Sequence, residues 1–193
     1  VGSEMCIRDR GVLEADVYVV AAGSYSTQLL RPLGLRLPVR PAKGYSITLP
    51  VEGLRQRPRL PVVDDALHAV VVPLGHRLRV AGTAEFAGFD RTLRPQRIEN
   101  LRYLLRQTYP EIAASLDATP VQAWTGLRPM SADGVPLIGA TSIGSLFLNT
   151  GHGPLGWTLA AGSAKALADK IMGQPRGFDI GEYSPARFAH FRI

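Results

Sequence analysis

The sequence predicts a mixed α/β chain of the α+β kind, and three observations carry that prediction. Short runs rich in β-branched and aromatic residues are broken by turn residues, with twenty glycines and fifteen prolines among 193 residues. Two of these runs, residues 17–22 and 146–148, lead straight into glycine turns followed by helical patterns, which is how parallel-sheet units begin. Between them the pattern turns to period-two alternation, the mark of an antiparallel sheet with one face buried. At 46% hydrophobic and 20% charged residues, the chain can bury one good core or two small ones.

The elements follow in order. "VGSEMCIRDR", residues 1–10, has no initiator methionine and no periodicity. It reads as a translated sequencing adaptor, so it is set aside from the fold together with Cys6. Residues 17–22 predict a strand buried on both faces. It ends at Gly23 and Ser24, and Ser26 then N-caps a short helix through Leu30. "RPAKGYSITLP" alternates around Lys43 to Leu49, and residues 66–82 read as two strands joined by a four-residue loop, Pro73 to His76. A helix is expected from Pro95 to just before Pro110. It places Ile98, Leu101, Leu105 and Thr108 on one side and arginines 91, 94, 97, 102 and 106 opposite. A strand, a polar turn at Ser131 to Gly134, two further strands and a helix to about Met172 complete the pattern. From Pro175 no periodicity remains, and a surface tail is expected.

Composition excludes several function classes. The net charge of +6 is spread along the chain without a block of five like charges, so no nucleic-acid face is expected. The mildly basic surface is compatible with anionic lipid headgroups. A single cysteine excludes an intramolecular disulfide or a cysteine-rich metal site and fits a reducing, cytoplasmic setting. The longest apolar run, residues 66–74, contains His68 and Pro73 and is too short to span a bilayer. No H-x-x-x-H, G-x-S-x-G or G-K-[ST] motif is present, so metal, serine-hydrolase and phosphoryl-transfer chemistry lack their parts.

The motif that raises a functional question is "LFLNTGHGPLGWTL", a strand, then G-x-G-x-x-G at Gly151, Gly153 and Gly156, then a helix. A complete dinucleotide site needs a further strand with an acidic residue at its end. Asp179 sits at a loosely suitable distance but has no β-run before it. Two readings of the turn stay open. Glycines at a helix N-terminus let backbone N–H groups reach a group that becomes negative during reaction, or they simply allow tight strand–helix packing. Arg128, in the apolar "WTGLRPMS", either binds a ligand carboxylate or pairs with an internal acid. Tyr45 either hydrogen-bonds a substrate or packs, Lys43 is a solvated strand charge, and His152 either titrates or is polar surface.

Taken in order and spacing, "ADVYVVAAGSYS", "RPAKGYSITLP", "GLRPMSADGVPLIGAT" and "LFLNTGHGPLGWTLAAGSAKALADKI" resemble the FAD-dependent D-amino-acid oxidase and glycine oxidase family. Within it the likeness is to the C-terminal half of bacterial D-amino-acid dehydrogenases of the small-subunit type, over Gly11 to about Gly173. The resemblance implies the C-terminal part of a two-domain oxidoreductase: an incomplete Rossmann-like FAD domain and an antiparallel-sheet substrate domain. Residues 11–37 and 121–173 fall to the former, 38–120 to the latter, and 174–193 form the tail. The cofactor is FAD, met by Ala22, Gly23 and Ser24 and by Gly151, His152, Gly153, Leu155 and Gly156. Arg128 inherits the carboxylate-binding role of the family's G-L-R-P motif, with Tyr45 as a second substrate contact. The implied reaction takes hydride from Cα of a neutral D-amino acid such as D-alanine to the flavin, giving an imino acid that hydrolyses to a 2-oxo acid and ammonia. No catalytic base is implied. The expected acceptor is a quinone, with peripheral association at the inner face of a bacterial membrane. The family's own N-terminal G-x-G-x-x-G is absent, so this chain alone is expected neither to bind FAD tightly nor to catalyse. Two other assignments compete: a glycine, sarcosine or hydroxyproline oxidase or dehydrogenase of the same family, and a non-catalytic basic module that binds anions.

Overall fold

The structure, a computed structural model, describes residues 4–6, 12–52, 54, 57–116, 119–175, 177 and 179–191. In chain order its strands are β1 (Glu4–Cys6), β2 (Val12–Glu14), β3 (Tyr18–Val20), β4 (Val39–Pro50), β5 (Val62–Asp64), β6 (Ala69–Leu74), β7 (Arg77–Glu85), β8 (Gln122–Ser131), β9 (Leu137–Ala140) and β10 (Leu146–Thr150). The helices are α1 (Ser26–Leu30), α2 (Pro95–Thr108), α3 (Pro110–Leu116) and α4 (Gly156–Ile171). They divide into two compact units, Val1–Arg40 with Arg128–Ile193, and Pro41–Leu127. Of the segment set aside by sequence, β1 pairs antiparallel with β2; residues 1–3 and 7–11 lie outside the described residues.

In the first unit, β3 runs parallel to β10, which runs antiparallel to β9, in the order β3-β10-β9. Val20, Leu30, Leu35, Leu37, Val39, Leu137, Leu146 and Leu148 form the core under this sheet. Two sequence expectations change here. The first strand is not buried on both faces: only Val20 is, while Val17 and Val19 are exposed. Successive residues face opposite sides of the sheet, so Val20 enters the core while Val19 lies on the face left open. Ser26 does not cap α1. It is the first helical residue, and its hydroxyl instead meets that of Thr150 at 3.0 Å. Helix α4 buries Ser163, Ala166 and Leu167 but leaves Leu159 and, at 96%, Trp157 exposed, as is Leu155 just before it. The tail forms 3-10 turns at Gly181–Tyr183 and Pro185–Phe191. Arg187 fastens it by donating to both Asp133 oxygens (2.7 and 3.2 Å) and to the carbonyl of Val135 (2.7 Å).

The second unit is a sheet ordered β5-β6-β7-β4-β8. Ile47, Leu49, Val71, Leu78 and Val80 pack against Leu101, Leu104 and Leu105 of α2. The sheet approaches α2 so closely at Gly82 that an added Cβ would lie 3.2 Å from Ala69 Cβ and 3.3 Å from Leu104 Cδ1. The β6–β7 hairpin is tighter than its sequence predicts. Leu74 pairs with Arg77, leaving only Gly75 and His76 in the loop, with Gly75 at φ 61°. Pro73 stays in the ladder opposite Leu78. Pro110 ends α2 as expected but also opens α3, whose first position suits proline.

The arginine face of α2 is internally engaged. Arg94 and Arg97 pair with Glu85, Arg106 with Glu99, and Arg102 donates to the carbonyl of Thr119. Lys43 is not a solvated strand charge. It is 0% exposed, and its Nζ donates to Thr92 O (2.6 Å) and Asp90 Oδ2 (3.3 Å) and lies 3.4 Å from Glu85 Oε1. A buried ammonium needs such partners, because desolvation otherwise outweighs any packing gain. The Thr92 hydroxyl and amide, then Lys43, hold the Asp90 carboxyl well below its usual range. The Tyr45 hydroxyl foremost, then Arg94 and Lys43, lower that of Glu85.

Both carboxyls titrate lower in the folded than in the unfolded chain, so acid favours unfolding. Their stabilisation is complete above the ordinary carboxylate range and is lost as pH falls through about 4 and below. Urea melts across that range are expected to show the loss, with a shallower slope for Asp90→Asn; parallel slopes would contradict the network. Leu101→Ala, which empties a fully buried position, is expected to cost about 2–5 kcal/mol in the same melts.

Candidate functional site

The site is assembled where two parallel strands end. β3 and β10 run side by side with Val20 opposite Leu148, so the turns that follow them emerge at the same sheet edge. In sheets containing parallel strands, ligands bind at the carboxyl ends of those strands. The two turns are tied by Thr150, which is buried. Its hydroxyl donates to the carbonyl of Gly23 at 3.0 Å and lies 3.0 Å from Ser26 Oγ.

The end of β8 is the third component. Met130 forms a β-bridge with His152. A Cβ on Gly23 would fall 3.9 Å from Pro129 Cγ, one on Gly151 3.5 Å from Ser131 Cβ, and one on Gly153 3.3 Å from Met130 Sδ. Three stretches singled out by sequence, Ala22 to Ser24, Arg128 to Ser131 and Gly151 to Gly156, are therefore brought together within the first unit.

The glycines have distinct reasons. Gly151 (φ 78°) and Gly153 (φ 54°) occupy left-handed backbone. Gly151 has no room besides, since its Cβ would lie 2.9 Å from Leu137 Cδ1. A 3-10 turn, Gly153–Leu155, then feeds α4, which has no side-chain cap and no acidic residue in its first turn. The N–H groups at the start of this 16-residue helix thus have no side-chain acceptor, and they carry its positive end.

Around the turn lie unsatisfied polar atoms. Ser131 Oγ, Asn149 Oδ1 and His152 Nε2 are buried without a hydrogen-bond partner among the described residues. Sequence reasoning missed Ser131 and Asn149: Asn149 lies just before the glycine turn, but Ser131 meets it only through the fold. Burial lowers the pKa of His152, so its ring stays neutral around pH 7. Arg128 is half-buried on β8, and among the described residues no acceptor or carboxylate pairs with its guanidinium. Among the described residues, the internal salt bridge left open by the sequence is not made.

Tyr45 belongs to the second unit. It is 1% exposed in that unit's core, and its hydroxyl donates to Glu85 Oε1 at 2.6 Å. Its polar atom is thereby committed to a protein partner.

Gly151→Ala combines a close contact with a strained φ and is expected to lower unfolding stability by about 1–3 kcal/mol. Because the folded pKa of His152 lies below its unfolded value, the wild-type chain loses stability as pH falls below about 6.5, and His152→Gln should remove that part of the loss. Thermal melts across that range check both.

Known proteins share this architecture. Residues 4–170 match the FAD dependent oxidoreductase family, DAO. The chain is 48% identical over 178 residues to a D-amino acid dehydrogenase of Xanthobacter autotrophicus, covering 92% of this chain and 42% of that protein. It is 50% identical over 177 residues to one from Methylobacterium nodulans, covering 92% and 41%. An uncharacterized oxidoreductase of Halorhodospira halophila is 46% identical over 187 residues, with 97% of this chain and 85% of that protein covered. Among solved structures, glycine oxidase from Geobacillus kaustophilus superposes with a TM-score of 0.80 at 27% identity, covering 91% of this chain and 46% of that one. Iminodiacetate oxidase from Chelativorans sp. BNC1 gives 0.77 at 29%, covering 91% and 47%. The chain spans about two fifths of the length of the D-amino acid dehydrogenases it matches. It belongs to the FAD-dependent oxidoreductase (DAO) family.

Proposed function

We propose that this chain is the part of an FAD-dependent D-amino-acid dehydrogenase that meets the flavin ring and the substrate carboxylate. The observation that carries the reading is Arg128: a half-buried guanidinium without a protein partner among the described residues, on the strand whose end packs against the glycine turn. Such a fork matches a carboxylate bidentately. D-amino acid dehydrogenases at 48–50% identity support the substrate class.

The residues of the turn fit a flavin. Its glycines leave a cradle without side chains, the α4 N-terminus presents positive charge, and Ser131, Asn149 and His152 offer buried polar atoms in want of partners. Ala22, Gly23 and Ser24 would line the neighbouring strand end, and Gly151 to Gly156 would hold the ring edge where negative charge collects. When bound, FAD supplies the acceptor for the substrate's Cα hydride. The chain's own contribution is orientation through Arg128 and electrostatic stabilisation through the helix start. A neutral His152 can share a hydrogen bond there without adding a charge. No general base is assigned, and Tyr45 serves in this account by seating Glu85 beneath the sheet.

The open edge of β3 and the apolar face of α4 around Trp157 are proposed to receive the remainder of an FAD domain, and with it the pyrophosphate site. A quinone acceptor and peripheral membrane association remain part of the proposal. No helix among the described residues is long and apolar enough to cross a membrane. Oxidases among the solved neighbours favour one rival, an oxidase of the same family. The anion-binding module loses its main support, since Arg94, Arg97, Arg102 and Arg106 are internally engaged.

In the flavin-loaded complete protein, Arg128→Ala is expected to weaken D-alanine binding by about 2–5 kcal/mol, read as a raised KM, with Arg128→Lys intermediate. An unchanged KM would remove Arg128 from the site. Dye reduction without oxygen consumption is expected; oxygen consumption alone would favour the oxidase.

A further inference from the structure

The sequence predicts a surface tail after Pro175, and the structure ties that tail to the turn joining β8 to β9 within the first unit. Arg187 makes five hydrogen bonds, as many as its guanidinium has N–H groups. Two go to the Asp133 carboxylate (2.7 and 3.2 Å) and one to the carbonyl of Val135 (2.7 Å). The other two go to the carbonyls of Tyr183 and Ser184 (2.9 and 3.1 Å), inside the tail. The guanidinium also lies 4.6 Å from the ring centroid of Phe188, which packs against the core of this unit.

The turn so held has little packing of its own. Ala132, Asp133 and Gly134 are exposed, and Gly134 takes φ 79°. Both ends of this loop nevertheless touch the glycine turn. On one side Met130 bridges to His152, and Ser131 Cβ would lie 3.5 Å from a Cβ on Gly151. On the other, Leu137 pairs with Thr150, and its Cδ1 would lie 2.9 Å from that same atom. An exposed loop without packed side chains opens readily unless other bonds hold it. Here they come from a residue 54 positions further along the chain, through a planar fork that fixes direction as well as distance.

Resting on the proposed flavin and D-amino-acid chemistry, we infer that Arg187 is a positioning residue for the site. Its fork on Asp133 and Val135 sets the β8–β9 turn. Through that turn it sets the end of β8 that carries Arg128, and the Met130 and Leu137 contacts of the glycine turn. It acts through these neighbours, without touching substrate or flavin. Misplacing a binding group by about 1 Å can cost on the order of a hundredfold in rate, so a distant clamp can be felt at the site.

The test compares Arg187→Ala, Arg187→Lys and Asp133→Asn with Ile180→Ala in the flavin-loaded complete protein, with D-alanine as probe. Ile180 is 1% exposed in a separate cluster with Ile138, Ala166 and Leu167, so truncating it loosens the same tail and leaves the fork alone. Arg187→Ala should raise KM about tenfold and shift the visible absorption band of the bound flavin. Arg187→Lys keeps the charge but not the fork, and it should fall between, as should Asp133→Asn. Ile180→Ala should lower the melting temperature with KM and the flavin band unchanged. An unchanged KM and band in Arg187→Ala, or the same changes in Ile180→Ala, would overturn the positioning role and leave the proposed function standing. Should Arg187→Ala fail to fold, Arg187→Lys decides by the same two readouts. No turnover of any D-amino acid by the unsubstituted protein would remove both.

Discussion

The parallel pairing of β3 with β10 is the constraint on which the first unit depends. Parallel neighbours deliver their following turns to one edge, and the buried Thr150 hydroxyl ties those turns by meeting both the Gly23 carbonyl and Ser26. Slipping that register by one residue would send Val20 and Leu148 to the wrong face of the sheet. It would also separate the glycine turn from the strand end beside it. The proposed flavin cradle thus rests on the same contacts that close the core.

Two clusters handle buried polarity differently. In the second unit, Lys43, Glu85, Asp90 and Tyr45 satisfy one another, which makes a polar network stable beneath an apolar sheet. Around the glycine turn, Ser131, Asn149 and His152 are left unsatisfied, and Arg128 is unpaired among the described residues. Satisfied groups serve the fold. The polar groups gathered beside the helix start find no partner among the described residues.

Much of the fold was legible in the sequence. Glycine turns, proline boundaries and the 3.6-residue pattern of α2 are local signals, and they mark the main elements and the stretches around Arg128 and Gly151 that the first unit gathers. What escaped depends on partners distant in sequence. Lys43 reads as a surface charge until Asp90 and the Thr92 carbonyl close over it. Ser26 reads as a cap until Thr150 claims its hydroxyl. Nothing in "VAGTAEF" announces that Thr83 takes φ 53°, because that conformation arises from a bulge set by the register with β4. Tyr45 looked available for a ligand because Glu85 lies forty residues away in sequence.

Amide hydrogen exchange in the flavin-loaded and flavin-stripped complete protein tests most directly whether the amides at the start of α4 are donors to a flavin. Exchange is expected to slow at Gly153 to Trp157 when the flavin is bound, more than in the rest of α4. Unchanged exchange there, with protection gained elsewhere, would mean that the glycine turn serves packing alone.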